Sequence, residues 1–216
     1  MKAEDWLQSK VETGFPSWGH LVELIKIAQT DLDVEADGKP GQKTIAALLD
    51  RLTEIPADVP IPKGRNAVQE VYGSFAWEPA KGRGVDIDDA WERKNIRWFA
   101  LHDGRKRKLH RLVGDEFVKL FKEACEVSGY TPKSVQTFVP RRIKASKNSR
   151  LSYHSWGIAV DFDPIRNGMG CKDHHGGGRC LFHKKHPEFA KVFVDAGWTW
   201  GGNWNMLDCM HFQRCG

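Results

Sequence analysis

The amino-acid sequence predicts a two-domain protein, in which a small all-α domain precedes a larger α+β domain. Its 216 residues are enough for one or two domains. A proline-rich stretch with little periodicity, residues 53–65, separates two regions of different character. Only helical periodicity is visible before it, whereas helix and strand patterns mix without strict alternation after it, which is typical of α+β domains. We place the domains at residues 1–55 and 66–216, with a linker over 56–65.

The region before the prolines contains two amphipathic helix patterns joined by a glycine turn. Apolar residues recur at helical spacing in HLVELIKIAQTDL, residues 20–32, and in KTIAALLDRL, residues 43–52. The two apolar faces consist of Leu21, Leu24, Ile25 and Ala28 in the first helix and Ile45, Leu48, Leu49 and Leu52 in the second. The intervening VEADGKPG, residues 34–41, predicts a turn. The region is therefore predicted to form a small helical module.

The turn and the second helix of this module carry a recognisable pattern. An Asp-Gly pair is followed by a glycine, a threonine and a helix with alanine and leucine, and the matching residues are Asp37, Gly38, Gly41, Thr44, Ala47 and Leu48. In this respect the module resembles the widespread peptidoglycan-binding helical domain. The resemblance implies that the module binds the cell wall. The alternative is an ordinary Asp-Gly turn before a helix, with Thr44 bonding to the backbone at the start of that helix.

The larger domain shows helices and strands in a segregated order. DEFVKLFKEACEVSG, residues 115–129, and HPEFAKVFVDAG, residues 186–197, predict amphipathic helices that end at glycines. Their inward residues are predicted to be Phe117, Leu120, Phe121 and Ala124 in the first and Phe189, Val192 and Phe193 in the second. VQTFV, residues 135–139, IAVDFD, residues 158–163, and CMHFQR, residues 209–214, predict strands.

Charge is distributed unevenly along the chain. Residues 1–56 contain 6 Lys/Arg and 10 Asp/Glu, whereas the remainder contains 27 and 18, so the larger domain favours an anionic partner. The densest basic run, GRKRKLHR at residues 104–111, is interpreted as a solvated loop face, because no aromatic-interleaved nucleic-acid module surrounds it. We therefore expect no nucleic-acid partner. No apolar stretch is long enough to predict membrane insertion, and residues 1–10 lack a signal-peptide pattern.

Five cysteines is an odd number, and without a secretory signal the sequence predicts reduced thiols rather than a disulfide scaffold. Cys125 lies in a predicted helix and is expected to be a small core residue. The segment 168–186 contains several potential metal ligands, which are Cys171, His174, His175, Cys180, His183 and His186. A second zinc site is one interpretation, but the spacing is not that of a standard zinc finger. We favour a flexible, glycine-rich loop at the rim of a cleft.

A histidine and an aspartate flank a predicted buried strand in SYHSWGIAVDFDP, residues 152–164. Asp161 alternates with apolar neighbours, and a buried carboxylate costs several kcal/mol unless a cation, hydrogen bonds or a metal stabilises it. His154 precedes a glycine turn that can bring it back towards Asp161. Further along, WTWGGNWNMLDCMHFQ supplies Asp208 and His211. Two histidines and one carboxylate can bind Zn²⁺ and leave a position for water, and Asp208 would then be free to act as the base.

Both segments have the pattern of a known enzyme family. S-x-H-x-x-G-x-A-x-D, which begins at Ser152, and W-G-G-x-W-x-x-x-D-x-M-H-F-Q, which begins at Trp200, resemble the zinc D-alanyl-D-alanine carboxypeptidase / L-alanyl-D-glutamate endopeptidase family. The resemblance extends over about residues 62–216. It implies a fold shared with lysostaphin-type endopeptidases and the Hedgehog signalling domain. It further implies zinc ligands, which are His154, Asp161 and His211, and a general base and acid, which is Asp208.

The same family has an arginine on a strand shortly before the first motif. TFVPRRIKAS offers Arg141 and Arg142 for this position. Arg141 is favoured, because its offset from Ala145 fits the family's R-x-x-x-G pattern better. Ala145 stands where that pattern has glycine. The resemblance implies that this arginine stabilises the oxyanion or orients a substrate carboxylate.

Taken together, the two resemblances imply a peptidoglycan hydrolase that cuts murein stem peptides with the help of Zn²⁺. The cleaved bond would be of the L-Ala–D-Glu or D-Ala–D-Ala type. Without a signal peptide we expect a monomeric phage endolysin, made in the host cytoplasm and acting on the cell wall; a virion-associated lysin and a bacterial cytoplasmic enzyme are alternatives. A catalytically inactive protein of the same fold that binds the wall or a partner is a further alternative, although Asp208 argues against it.

Overall fold

The computed structural model describes residues 18–53, 59–146, 148–169 and 180–216. The chain divides into two compact units, Met1–Ala57 and Asp58–Gly216. The mixture of helices with small antiparallel sheets agrees with the predicted α+β class. Among the described residues, no helix is both long enough and apolar enough to cross a membrane.

The helices and strands are named here in chain order. The first unit contains helices α1 (Trp18–Asp31) and α2 (Gln42–Thr53). The second unit contains α3 (Gly64–Tyr72), β1 (Trp77–Pro79), β2 (Val85–Ile87), α4 (Asp89–Asn95), β3 (Ile96–Ala100), β4 (Lys106–His110), α5 (Gly114–Ser128), β5 (Val135–Gln136), a 3₁₀ turn (Tyr153–Trp156), β6 (Ala159–Phe162), α6 (Leu181–Lys184), α7 (Pro187–Asp195), β7 (Thr199–Trp200), a second 3₁₀ turn (Gly201–Asn203) and β8 (His211–Gln213).

The two helices of the first unit form as predicted, and a buried glutamine holds the turn between them. The Gln29 side-chain amide donates to Asp37 Oδ1 at 2.8 Å and to Thr44 Oγ1 at 2.9 Å, while its oxygen accepts from Gly38 N at 2.8 Å. Gly38 has φ +76°, and a Cβ there would lie 2.7 Å from a methyl carbon of Val22, so this position requires glycine. Thr44 therefore supports the turn through Gln29, which differs from the capping role considered above.

The centre of the second unit is a four-stranded antiparallel sheet in the order β5-β6-β8-β7. Its central strand β6 is buried at all four residues. The three predicted strands are each shorter than their sequence patterns, because only the residues that pair with a neighbour are strand. Two further hairpins, β1-β2 and β3-β4, complete the strands of the described residues.

Helices α5 and α7 cover the sheet through aromatic side chains. Phe117 and Phe121 of α5 lie 6.2 and 5.8 Å from the Phe162 ring, and Phe193 of α7 lies 5.2 Å from the Phe212 ring. The predicted inward residues of α5 are all buried, as are Phe189 and Phe193, whereas Val192 is only partly buried. This aromatic layer fixes β6 and β8 from one side, which leaves their other face for polar residues.

The basic run at residues 104–111 was interpreted from the sequence as a loop face, but the structure shows a strand there. It contains the whole of β4, which pairs with β3 over its whole length, and Leu109 and His110 are buried. Its charges are partly engaged within the domain: Arg107 Nε donates to the Val135 carbonyl at 2.6 Å, and Lys108 Nζ lies 2.9 Å from Glu92 Oε1. The run has no alternation of apolar and polar residues, which is why no strand was predicted there from the sequence.

The residues just after the first unit belong structurally to the second. Arg214 donates to the Val59 carbonyl at 3.4 Å, and Gly216 N donates to the Pro62 carbonyl at 2.9 Å. Gly64 N returns a hydrogen bond to the Gly216 carbonyl at 3.0 Å, where α3 begins. The second half of the segment predicted to be a linker is therefore tied to the C-terminal residues.

Two expectations about cysteines and the 168–186 segment are corrected by the structure. Cys180 and Cys209 form a disulfide with a Cα–Cα distance of 5.7 Å, so the prediction that all cysteines are reduced was wrong. Residues 170–179 lie outside the described residues, but Leu181–Lys184 form α6 and are not loop. Cys125 is a buried free thiol in the core, as predicted.

Candidate metal centre

Strand pairing brings Asp161 and His211 together. The two residues are directly opposite each other in the register of β6 and β8. Side chains of directly opposed residues stand on the same face of a sheet, and here His211 Nδ1 lies 2.9 Å from Asp161 Oδ1. Asp161 therefore occupies the polar face of a strand whose other face, at Val160 and Phe162, carries apolar side chains.

His154 reaches the same point from the short turn before β6. Ser152 caps this turn by accepting a hydrogen bond from His154 N at 3.4 Å, and Gly157 ends it with φ +68°. A Cβ at Gly157 would lie 2.8 Å from His110 N, so a larger residue would force the turn away from β4. The turn places His154 Nε2 3.1 Å from Asp161 Oδ1.

The structure thus assembles the three predicted ligands into one compact group. One donor atom from each of His154, Asp161 and His211 lies within 4.8 Å of the others. All three side chains are buried, with exposures of 1, 5 and 8 %. A buried cluster of two imidazoles and one carboxylate has the composition of a catalytic zinc site.

The hydrogen bonds of His154 fit a metal ligand. Its Nδ1 lies 2.6 Å from the Thr137 carbonyl, which can only accept, so Nδ1 carries the proton and Nε2 keeps its lone pair. Buried Nε2 makes no hydrogen bond among the described residues, although Asp161 is near it. A buried nitrogen lone pair that faces a carboxylate and makes no hydrogen bond is costly unless a cation lies between them.

His211 is oriented by Gln213, which the sequence did not single out. His211 Nε2 lies 3.0 Å from Gln213 Oε1, so donation to this amide leaves Nδ1 with the lone pair that faces Asp161. Gln213 is two residues further along β8 and therefore lies on the same face. Each histidine thus donates a hydrogen bond from one ring nitrogen to a fixed oxygen and presents the lone pair of the other nitrogen to the candidate metal.

The charges of the group are strongly coupled. Without a metal ion, protons on the facing nitrogens of His154 and His211 would take its place. Burial opposes ionisation of Asp161, but hydrogen bonds and positive charge from these two histidines hold the pKa of Asp161 well below its ordinary value. Burial would also lower the pKa of His211, but the hydrogen bond and charge of Asp161 raise that pKa above its ordinary value. The buried carboxylate therefore stays ionised and demands positive charge, which a proton on His211 or a bound metal ion can supply.

Asp208 lies beside this group without joining it. Its Oδ1 is buried and accepts no hydrogen bond among the described residues. Burial raises its pKa, the charge of Asp161 raises it further, and the histidines and Arg141 act in the opposite direction. The backbone N–H of Asp208 donates a 2.9 Å hydrogen bond to the Gly201 carbonyl. The two backbones are so close that a Cβ at Gly201 would lie 2.5 Å from the Asp208 carbonyl oxygen. A buried carboxylate with a raised pKa, placed beside the candidate metal ligands, can accept a proton and return it.

The structure distinguishes the two candidate arginines. Arg142 is buried, and its guanidinium donates to the Gly82 carbonyl at 2.7 Å and to the Ser146 carbonyl at 3.3 Å. The charge of Arg141 instead acts on Asp161 and Asp208. The guanidinium of Arg142 is thus engaged by backbone carbonyls, whereas the charge of Arg141 interacts with the acidic groups of the candidate site, and the assignment of Arg141 stays a prediction.

Three supporting residues were not identified as such from the sequence. Thr137 contributes only a backbone carbonyl, which no side-chain pattern reveals. Gln213 has a signal, since it lies two residues after His211 in a strand. Trp204 lies with its ring 5.5 Å from that of His211 and remains 37 % exposed, which places an aromatic surface next to the candidate metal ligands.

Removal of the Gln213 amide is expected to weaken metal binding. In Gln213→Ala the affinity for Zn²⁺ should fall by ~10–100-fold, because His211 loses the acceptor that fixes its ring and proton. Gln213→Glu keeps an acceptor and should retain much of the affinity. Competition with a chelating dye measures both values. Equal affinities in the alanine variant and the unmodified protein would contradict the orienting role.

Comparison with known proteins agrees with this geometry over part of the chain. Residues 145–214 match the family model described as D-alanyl-D-alanine carboxypeptidase. The matched region contains the three candidate ligands and Asp208, and it indicates a metallopeptidase domain there. The searches of curated proteins and of solved structures found no match.

Proposed function

We propose that this protein is a zinc peptidase that hydrolyses peptide bonds in the stem peptides of peptidoglycan. The observation that carries the proposal is the buried group of His154, Asp161 and His211 with the unbonded carboxylate oxygen of Asp208 beside it. A metal-binding group alone would suit a structural site or a binding protein. A carboxylate that is not needed as a ligand adds a proton acceptor, which only a reaction requires.

The side chains divide the work of hydrolysis between them. His154, Asp161 and His211 would hold Zn²⁺, which supplies Lewis acidity towards the scissile carbonyl and lowers the pKa of water. Asp208 takes the proton from the attacking water and delivers it to the leaving amine. Its raised pKa suits this task, because a base that must also act as an acid has to hold its proton transiently near neutral pH.

Arg141 contributes positive charge at the same place. Its charge acts on both Asp161 and Asp208, and we assign it to stabilise negative charge that develops on the scissile carbonyl oxygen or to bind a substrate carboxylate. Stem peptides are rich in carboxylates, and the residues that follow the first unit carry an excess of basic side chains. Both features favour an anionic peptide substrate over a neutral one.

The proposal is tested by digestion of purified sacculi and soluble muropeptides with the zinc-loaded protein. Mass spectrometry of the products identifies the bond that is cut, and we expect release of L-Ala–D-Glu or D-Ala–D-Ala cleavage products. Chelation should stop the reaction, and added Zn²⁺ should restore it. Intact muropeptides after prolonged incubation with zinc-loaded protein would contradict the proposal and favour an inactive binding protein of the same fold.

The first unit is proposed to bind the cell wall. Its Asp37-Gly38 turn, held by Gln29, carries the residues that resemble the peptidoglycan-binding domain. Together with the Hedgehog-like fold that the resemblance implies for the peptidase unit, this turn suits a phage endolysin that acts on the wall from within the host. These assignments rest on the resemblance and on the assembled site.

Deletion of the first unit should separate wall binding from catalysis. The truncated protein should begin at Asp58, because Val59 and Pro62 accept hydrogen bonds from Arg214 and Gly216. We expect it to sediment less with sacculi while it still cleaves small soluble muropeptides. The measurement is the fraction of protein bound in a sedimentation assay. Equal sedimentation of the two forms would count against a wall-binding role.

A further inference from the structure

A second group of potential metal ligands lies outside the candidate active site. One donor atom from each of Cys180, His183 and Cys209 lies within 4.8 Å of the others. The two cysteines are 5 and 0 % exposed, whereas His183 is exposed. Cys180 directly precedes α6, and His183 lies on that helix, so a single short segment supplies two of the three groups.

We infer that these three residues bind a zinc-like divalent metal ion when the Cys180–Cys209 disulfide is reduced. Two thiolates and one imidazole are ligands that Zn²⁺ prefers, and three protein ligands leave the fourth tetrahedral position to water on the exposed side of His183. The cysteines are already adjacent, since the disulfide holds their Cα atoms 5.7 Å apart. The same fold can therefore present either a disulfide or a metal site.

The change between the two states needs a thiol reductant. A dithiol transfers two electrons and two protons to the disulfide, the S–S bond breaks, and the reductant itself becomes a disulfide. Each of the two new thiols then releases its proton when it binds the metal. A disulfide sulfur carries no thiolate charge, so the oxidised protein lacks the two strongest ligands of the group.

His183 is arranged as metal-binding histidines usually are. Its Nε2 lies 2.9 Å from the Gly202 carbonyl, which can only accept, so Nε2 carries the proton and Nδ1 keeps the lone pair. The ring lies 4.5 Å from that of Trp200, which restricts its orientation. An exposed histidine whose tautomer and ring are both fixed needs little rearrangement to bind a metal.

The site would also anchor the chain next to the candidate catalytic base. Cys209 follows Asp208 directly, and its carbonyl accepts a hydrogen bond from Trp200 Nε1 at 3.0 Å. A disulfide and a bound metal both tie this position to the start of α6. The backbone that carries Asp208 is thus cross-linked in the oxidised protein and in the reduced, metal-bound protein.

Cobalt substitution distinguishes this site from the candidate active site. Thiolate-bound Co²⁺ absorbs in the near ultraviolet by sulfur-to-metal charge transfer, and the group of His154, Asp161 and His211 contains no sulfur. The full-length protein is titrated with Co²⁺ after reduction by a dithiol and, separately, in its oxidised form. We expect the charge-transfer absorption only in the reduced protein, with about one additional metal ion bound per chain.

Single substitutions assign the absorption to these residues. Cys180→Ser and Cys209→Ser should each remove most of it, and His183→Ala should weaken Co²⁺ binding by ~10-fold or more. Cys125→Ala, which replaces a buried cysteine outside the group, should leave it unchanged. Because His183 is exposed, its variant is expected to fold and gives a valid test even if the cysteine variants do not.

Two results would overturn the inference. One is a reduced protein without charge-transfer absorption at saturating Co²⁺. The other is full absorption in Cys180→Ser or an unchanged Co²⁺ affinity in His183→Ala, either of which would place a metal ligand elsewhere. Neither result depends on whether the protein cleaves muropeptides. The inference can therefore fail while the proposed peptidase activity holds, and the peptidase activity can fail while the inference holds.

Discussion

Asp161→Asn is expected to abolish zinc binding and with it all measurable hydrolysis of muropeptides. The substitution keeps the volume of the side chain but removes the charge that balances the metal. It also replaces one carboxylate oxygen with an amide nitrogen. The two histidine nitrogens, which lie 3.1 and 2.9 Å from Asp161 Oδ1, then face an uncharged amide. Elemental analysis of the purified variant, together with its activity, measures both effects.

The matched variants make this result specific. His211→Ala should also lose metal and activity, whereas His102→Ala, at an exposed histidine outside the group, should lose neither. Circular dichroism of each variant establishes that the fold is kept. Full zinc occupancy in Asp161→Asn, with activity retained, would show that the metal binds elsewhere and would reject the proposed centre.

Asp208→Asn should retain zinc and the fold but lose hydrolysis, with kcat lowered by ~10²–10⁴-fold. An amide has the shape of the carboxylate and cannot take a proton from water. Asp208 is not needed to complete the ligand group, and its Oδ1 is engaged by no donor among the described residues, so little besides proton transfer should change. Zinc content and the rate of peptide-bond cleavage are measured on the same preparation.

The exposed Asp195 offers a control for this variant. It lies on α7, where Lys191 Nζ is 2.6 Å from its Oδ2. Asp195→Asn should retain both zinc and full activity. If Asp208→Asn instead loses metal affinity by ~10–100-fold, Asp208 orients a ligand. Full activity in Asp208→Asn would remove it from the mechanism altogether.

The elements that the sequence predicted well are the ones with strong periodicity. Helices α1, α5 and α7 follow 3.6-residue apolar patterns, and the glycines predicted to stop α5 and α7 lie just beyond their ends, at Gly129 and Gly197. The basic β4 strand was missed because its pairing with β3 determines its conformation, and a run of charged residues lacks the apolar alternation that would reveal a strand. Tertiary pairing overrode a local pattern there.

The disulfide was missed for a different reason. The number of cysteines and the lack of a secretory pattern bear on the redox environment of the protein. They do not indicate which cysteines lie close together in the fold. Cys180 and Cys209 are brought together because α6 and the segment before β8 both contact the aromatic layer around Phe182 and Phe212. That approach is a consequence of packing.

The sequence by itself identified the candidate ligands, the spare carboxylate and the helices with a clear apolar period, since these follow from residue type, spacing and period. The tertiary structure decided which atoms face one another. Only the β6–β8 register sets Asp161 opposite His211, and only the folded chain shows that Thr137 and Gln213 orient the two histidines. A sequence motif records side chains along one dimension, whereas hydrogen bonds and metal coordination depend on distances and angles that form when separate strands pair.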